Sequence, residues 1–254
     1  AYTTINKSTD YFNTKLYSGT GSEHTISGVS FQPDMTWLKS RTNTQPHMLS
    51  DAVRGGSKQI YPNTGGAETS YSQYLKSFNS DGFVLGTDGG INANGQTYAS
   101  WNWKANGAGS ANTDGSINST VSANTTAGFS IVKWTGNNGA GATVGHGLGS
   151  VPKIVLVKNI QQSGYDWVMY HASLGNTKRI WLNLTNAVAD AGAGGWNNTT
   201  PSSSVFTLGT SGETNGSGEM IGYCFAEKTG YSKFGSYTGN GNADGTFVYT
   251  GFKP

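Results

Sequence analysis

Short apolar runs, bounded by proline on one side and polar turns on the other, recur along this chain. Met35-Thr36-Trp37-Leu38-Lys39 follows Pro33-Asp34, and Ile154-Val155-Leu156-Val157-Lys158 follows Pro152-Lys153. Runs of that length and setting read as strands covered on both faces or nearly so. Residues 128–134 alternate instead, with Phe129, Ile131 and Lys133 on one side and Val132 and Trp134 on the other, which is the period of a half-buried strand. Trp101 and Trp103 lie two residues apart, as do Tyr223 and Phe225, so each pair sits side by side on one face of a strand. Turn signals separate the runs: Thr87-Asp88-Gly89-Gly90, Asn94-Gly95, Asn137-Asn138-Gly139 and Asn215-Gly216 supply residues that tolerate positive φ. The best helical spacing is that of Tyr71, Tyr74, Leu75 and Phe78, which predicts one short helix over 70–78.

The whole pattern occurs twice. Residues 12–19 superpose on 129–136, pairing Phe12 with Phe129 and Tyr17 with Trp134. Further on, 33–39 match 152–158, Asp51 falls on His171, 60–63 match 180–183, 83–86 match 206–209, and Trp101 and Trp103 meet Tyr223 and Phe225. The offset drifts only from 117 to 123 residues, with aromatic or aliphatic residues kept in register, which argues for duplication. The expected fold is all-β: two tandem related β-sandwiches of jelly-roll or lectin-like type, residues 1–107 and 112–254, each of about a dozen short strands. A Gly, Ala, Asn and Ser stretch at 105–113 joins them, with 117–123 already in the second unit as 3–9 are in the first. A third beginning follows in Gly230-Tyr231-Ser232-Lys233-Phe234, Tyr237-Thr238-Gly239 and Phe252-Lys253-Pro254, where Pro254 matches Pro33 and Pro152. These residues either close the second unit as a C-terminal hairpin or open the next unit of a longer array.

Composition agrees with many turns and few helices. There are 38 Gly, 12% aromatic and 12% charged residues, the last about half the usual share. Although only 35% of residues are hydrophobic, 7 Trp, 13 Tyr and 10 Phe can each bury roughly 150–250 Å², enough for two small aromatic cores. The net charge is +2 and the 16 Lys and Arg are scattered, so no basic stripe for nucleic acid is expected. No apolar run approaches the ~20 residues of a spanning helix, and no membrane insertion is expected. The single cysteine, Cys224, excludes an intramolecular disulfide framework.

Chemistry is sparse. Across the repeat His24, His47, His146 and His171 face Thr143, Trp167, Ser27 and Asp51, so no histidine position is shared. Glycoside hydrolysis needs two carboxylates roughly 5–10 Å apart. The best candidates, Asp51, Asp81 and Asp88, have no acidic counterparts in the second unit. The glycine runs at 139–141 and 145–149 lack the helix and lysine of a phosphate cradle, no calcium-loop spacing exists, and Cys224 sits in an apolar strand. The sequence therefore predicts no catalytic residue, no metal site and no cofactor. For ligand binding it offers Trp196 with Asn197 and Asn198, an aromatic alone in a polar glycine-rich loop; a sugar face could stack on it, and the competing reading has Trp196 capping a core from its loop.

The strings 31–41, 81–86, 95–105, 170–176 and 230–235 (Phe31-Gln32-Pro33-Asp34, Asp81-Gly82-Phe83-Val84-Leu85-Gly86, Tyr98-Ala99-Ser100-Trp101-Asn102-Trp103, Tyr170-His171-Ala172-Ser173-Leu174-Gly175 and Gly230-Tyr231-Ser232-Lys233-Phe234 among them) resemble a repeated domain of unknown function found in predicted virion proteins of tailed, often marine, bacteriophages near tail-fibre genes. The resemblance spans nearly the whole chain and implies a virion protein: a tail fibre or receptor-binding adhesin that recognises host-surface polysaccharide, assembled with other virion proteins and, by analogy with phage fibres, as a trimer. It carries no catalytic motif. A capsid decoration or head fibre with a purely structural role is the alternative, and a polysaccharide-degrading enzyme the third reading.

Overall fold

Strands that are apolar on both faces need cover on both sides, and the chain meets that need by stacking sheets. The computed structural model describes residues 3–252. Its first half contains β1 (Phe12–Ser18), β2 (His24–Ile26), β3 (Met35–Ser40), β4 (Met48–Asp51), β5 (Lys58–Gln59), β6 (Thr69–Ser70), β7 (Leu75–Asn79), β8 (Gly82–Leu85), the one-turn helix α1 (Gly89–Asn92) and β9 (Thr97–Trp103). The second half contains β10 (Ser110–Asn112), β11 (Ser119–Asn124), β12 (Phe129–Gly136), β13 (Ala142–Gly145), β14 (Ile154–Asn159), β15 (Val168–His171), β16 (Lys178–Trp181), β17 (Ala189–Asp190), α2 (Gly192–Trp196), β18 (Val205–Leu208), α3 (Gly212–Asn215) and β19 (Gly218–Phe225). The fold is all-β and every strand ladder is antiparallel.

Four layers result. A three-stranded sheet (β2-β8-β7) covers one face of a four-stranded sheet (β1-β9-β3-β4), and a two-stranded sheet (β13-β18) covers one face of an eight-stranded sheet ordered β10-β11-β12-β19-β14-β15-β16-β17. Leu38, Met48, Phe83 and Leu85 fill the first gap, while Val132, Trp134, Val155, Val157 and Phe206 fill the last. A third core lies between the two large sheets, where Met35, Leu49 and Ile60 meet Phe129, Ile131, Leu156, Trp167 and Tyr223. The inner sheets are therefore packed on both faces, which is why β14 reads as one continuous apolar run.

Register repeats between the halves. Phe12 stands opposite Trp103, Trp103 opposite Met35 and Met35 opposite Asp51; Phe129, Phe225, Ile154 and His171 form the corresponding row. In the covering sheets His24 pairs with Leu85 and Ala142 with Leu208, so the structural counterpart of His24 is Ala142, one residue from the Thr143 expected from sequence. Each half also carries a buried asparagine at the end of a one-turn helix. Asn92 Nδ2 donates to Gly86 O and Ser22 O and its Oδ1 accepts from the Thr20 N–H. Asn215 Nδ2 donates to Gly209 O and Gly139 O and its Oδ1 accepts from the Asn137 N–H. These helices occupy the turns expected at 87–90 and before Gly216, capped by Asp88 and Ser211.

Several expectations are corrected. No helix forms over 70–78; a β-bulge between Leu75 and Ser77 lets Leu75 and Phe78 oppose Leu85 and Phe83 on the same face. A bulge thus reproduces the three-residue spacing that mimicked a helix. The joining stretch is no loose tether: Ala105 is buried in the central core, its N–H donates to Asp34 Oδ2 at 2.7 Å, and β10 extends the large sheet. Residues 3–9 form no counterpart to β11, only a 3₁₀ turn at Ser8–Asp10. The C-terminal hairpin is absent among the described residues: after β19 only an isolated bridge joins Lys228 to Ser232. The tail satisfies polar groups locally instead, with Thr246 Oγ1 donating to Thr238 O and Asn240 Nδ2 to Asp244 O. Pro254, the last match of the third beginning, lies outside the described residues.

Candidate functional site

Trp196 is not the exposed platform its surroundings suggested. Its ring is 1% exposed, sits in the second-half core, meets Tyr170 edge-on at 5.9 Å and donates its Nε1–H to Lys178 O at 3.2 Å. The glycine-rich stretch coils into α2 and drives the ring inward, so no sugar can reach its faces. Asn197 and Asn198 adopt left-handed φ of 49° and 50° and turn the chain out of that helix, a conformation that Asn tolerates well.

The candidate acids are structural as well. Asp51 is fully buried between the large sheets; it accepts from Arg54 Nε and from the Tyr223 hydroxyl, each at 2.6 Å. Arg54 also reaches Glu68 at 3.0 Å. Burial opposes the Arg54 charge, but Asp51, Tyr223 and Glu68 more than compensate and hold the guanidinium above its ordinary range. Asp81 accepts from the Gly28 and Ser30 N–H groups, and Asp88 caps α1. His146 bridges the Leu148 N–H and Ser202 O, which accounts for the histidine in the glycine run at 145–149. Burial pushes the Cys224 thiol up to about 12. Among the described residues no three His, Cys, Asp or Glu side chains are grouped to hold a metal ion.

What the fold does leave open is tryptophan. The two large sheets meet where Met35, Leu49 and Ile60 face Phe129, Leu156 and Trp167, and part of their facing surfaces stays open. Between them lies an apolar cleft of about 410 Å³, lined by Phe12, Met35, Trp37 and Trp103 on one side and Phe129, Leu156, Met169 and Tyr223 on the other. Tyr231 and Phe234 of the tail line it as well. It continues into an open depression of about 350 Å³ walled by Trp37, Trp101, Trp103 and His47. Trp37 and Trp101 are direct cross-strand partners, and Trp103 lies two residues along the same face. All three are half-buried, and Leu16, one row further out, is 66% exposed.

The corresponding positions in the second half are Leu156 and Tyr223, cross-strand partners in the same way, and both are buried. The fold thus keeps this position covered in one copy and uncovered in the other. Trp37 is held in place: its Nε1–H donates to His47 Nδ1 at 2.9 Å, with the rings nearly perpendicular. That bond assigns the His47 proton to Nε2, leaving an N–H donor on its other edge. Burial, followed by the charge of nearby Lys39, lowers the His47 pKa and keeps the imidazole neutral. The arrangement can stack a flat, apolar ring face and donate hydrogen bonds around it.

The two-residue spacing places Trp101 and Trp103 side by side on one strand face but does not say whether that face is covered. Their partial exposure depends on which stretches of the two sheets cover each other, which has no local signature. The pairing of Trp37 with Trp101 was accessible only through the register, and His47 appeared as an unshared histidine without a role.

Residues 7–254 match a protein family described as a domain of unknown function (DUF7483). No curated protein and no solved structure matches the chain.

Proposed function

The chain belongs to the DUF7483 family, and from that premise we propose that it is a non-enzymatic recognition module of a phage virion, a tail-fibre or receptor-binding adhesin that holds host-surface glycan on Trp37, Trp101 and Trp103. The observation that carries this reading is the uncovered tryptophan pair at a position whose counterpart, Leu156 with Tyr223, is core. Half-buried aromatics that wall an open depression on a sheet face suit the weakly polar faces of sugar rings, and tandem units suit avidity. In this reading the halves are two jelly-roll or lectin-like sandwiches fused through a common middle layer, and the phage setting comes from the resemblance of the strings quoted above. The test is binding of the purified chain to host cells and their isolated surface polysaccharide, with Trp101→Ala as the variant. Binding that falls at least tenfold in the variant supports the reading; absence of binding by the parent, or equal binding by the variant, overturns it.

A structural role on the particle, as a capsid decoration or head fibre, is favoured by a different observation. Tyr237, Phe247, Val248 and Tyr249 of the tail stand exposed, Phe247 at 85%, and so much open apolar surface suits a protein partner, either another virion protein or copies of this chain in a trimer. Particles assembled with Phe247→Ser and Tyr249→Ser separate the two roles: lost incorporation favours the structural one, and normal incorporation with normal host attachment favours adhesion through the tryptophans.

A further inference from the structure

We infer that the ligand of the tryptophan strip is an acidic saccharide, its ring stacked on Trp101 and its anionic group held by Lys39 with Arg41. The inference rests on the glycan reading above and narrows it to a substrate class. The strand register sets Leu16, Ala99 and Lys39 in the row next to the Trp101–Trp37 row, and alternation along β3 puts Lys39 on the same face as Trp37. One hydrogen bond further on, the Arg41 N–H donates to Thr97 O, extending the same edge. Arg41 is exposed.

The charge inventory is one-sided. Lys39 Nζ donates to Ser40 O at 2.9 Å and Asn43 O at 3.4 Å. Those partners are neutral, so the charge stays uncompensated and a third N–H is free. Among the described residues neither Lys39 nor Arg41 takes part in a salt bridge. His47, its Nδ1 occupied by Trp37, offers only an Nε2–H. The two rows carry no carboxylate. Thr14, exposed opposite Trp101, adds a hydroxyl that both gives and accepts, but the charged groups of the rim are all cationic, and a carboxylate or sulfate meets them with charge-assisted bonds stronger than those of a neutral sugar hydroxyl.

The experiment is a binding array of the intact chain against acidic polysaccharides (bearing uronate, sialate or sulfate) and neutral ones, followed by titration of the best acidic ligand and its neutralised counterpart, esterified or desulfated. The expected result is roughly tenfold weaker binding after neutralisation, a similar loss in Lys39→Ala, recovery in Lys39→Arg, and weakening as salt rises. Preference for neutral glycans, or full affinity in Lys39→Ala, overturns the inference while leaving the glycan reading intact. No binding to any glycan on the array overturns both. Unchanged thermal stability of Lys39→Ala shows that its loss is one of recognition rather than folding.

Discussion

Replacing Asn92 or Asn215 by alanine tests how each half is locked. Both side chains are fully buried. Asn92 binds Gly86 O at 2.7 Å, Ser22 O at 2.6 Å and the Thr20 N–H at 2.9 Å; Asn215 binds Gly209 O at 3.2 Å, Gly139 O at 2.9 Å and the Asn137 N–H at 3.1 Å. Asn92→Ala strands three backbone groups from two loops, 19–23 and 86–88. Each orphaned buried group costs about 1–3 kcal/mol, and a water entering the small polar void recovers part of that. The expected loss is about 3–5 kcal/mol per site, corresponding to a fall in Tm of roughly 10 °C for a chain of this size. Asn92→Asp sharpens the test. It keeps the acceptor for Thr20 but turns an oxygen toward two carbonyls, so at pH 7 it is as damaging as alanine, and below pH 4, where the acid regains a proton to donate, stability recovers in part. Urea denaturation followed by tryptophan fluorescence gives the numbers. A loss below about 1 kcal/mol for either alanine variant, or an Asn92→Asp protein as stable as the parent at pH 7, refutes the reasoning.

Asp51→Ala leaves the buried Arg54 with Glu68 as its one remaining counter-charge and is expected to cost about 3 kcal/mol, against about 1–2 kcal/mol for Tyr223→Phe, which leaves the ion pair intact; the same denaturation assay ranks them. Trp196→Ala is expected to lose about 3–5 kcal/mol through its cavity, whereas Trp101→Ala loses glycan binding with little change in Tm, so the two variants fail in opposite assays. Burial lowers the pKa of His47, His146 and His171 in the folded chain. The unfolded chain therefore takes up more protons below about pH 6.5, and stability must decline as pH falls from there. Calorimetry between pH 7 and 5 should show Tm decreasing, with a shallower slope in His146→Asn; a Tm that rises on acidification contradicts the assignment.

Much of the scaffold was legible because its signals are local. The alternation at 128–134 assigned the two faces of β12 correctly, and the apolar run at 154–158 announced a strand covered on both sides. Misreadings arose where a local pattern has two physical origins. Leu75 and Phe78 share a face through a bulge as readily as through a helix, and a glycine-rich loop around Trp196 can expose a ring or fold it under. The paired asparagines stand in both copies, six residues after Gly86 and Gly209, but polar residues in turn-rich loops carry no periodic signal of burial. The ion cluster of Asp51, Arg54, Glu68 and Tyr223 and the tryptophan depression arise where the two large sheets meet. Neither copy encodes that meeting by itself.

The position of β19 has a consequence for synthesis. It is the last strand of the chain among the described residues, yet it lies in the middle of the largest sheet, between β12 and β14, and its Tyr223 secures Asp51 of the first half. At about 5–20 residues per second, the ribosome needs roughly 6–24 s after finishing β9 to finish β19. Until β19 is made, β12 and β14 have no strand between them, and Met35, Leu49 and Trp103 lack Ile221 and Tyr223, so their cover stays incomplete. The nascent first half should therefore be sticky, a client for chaperones, and a product truncated after residue 107 should precipitate where the longer chain stays dispersed.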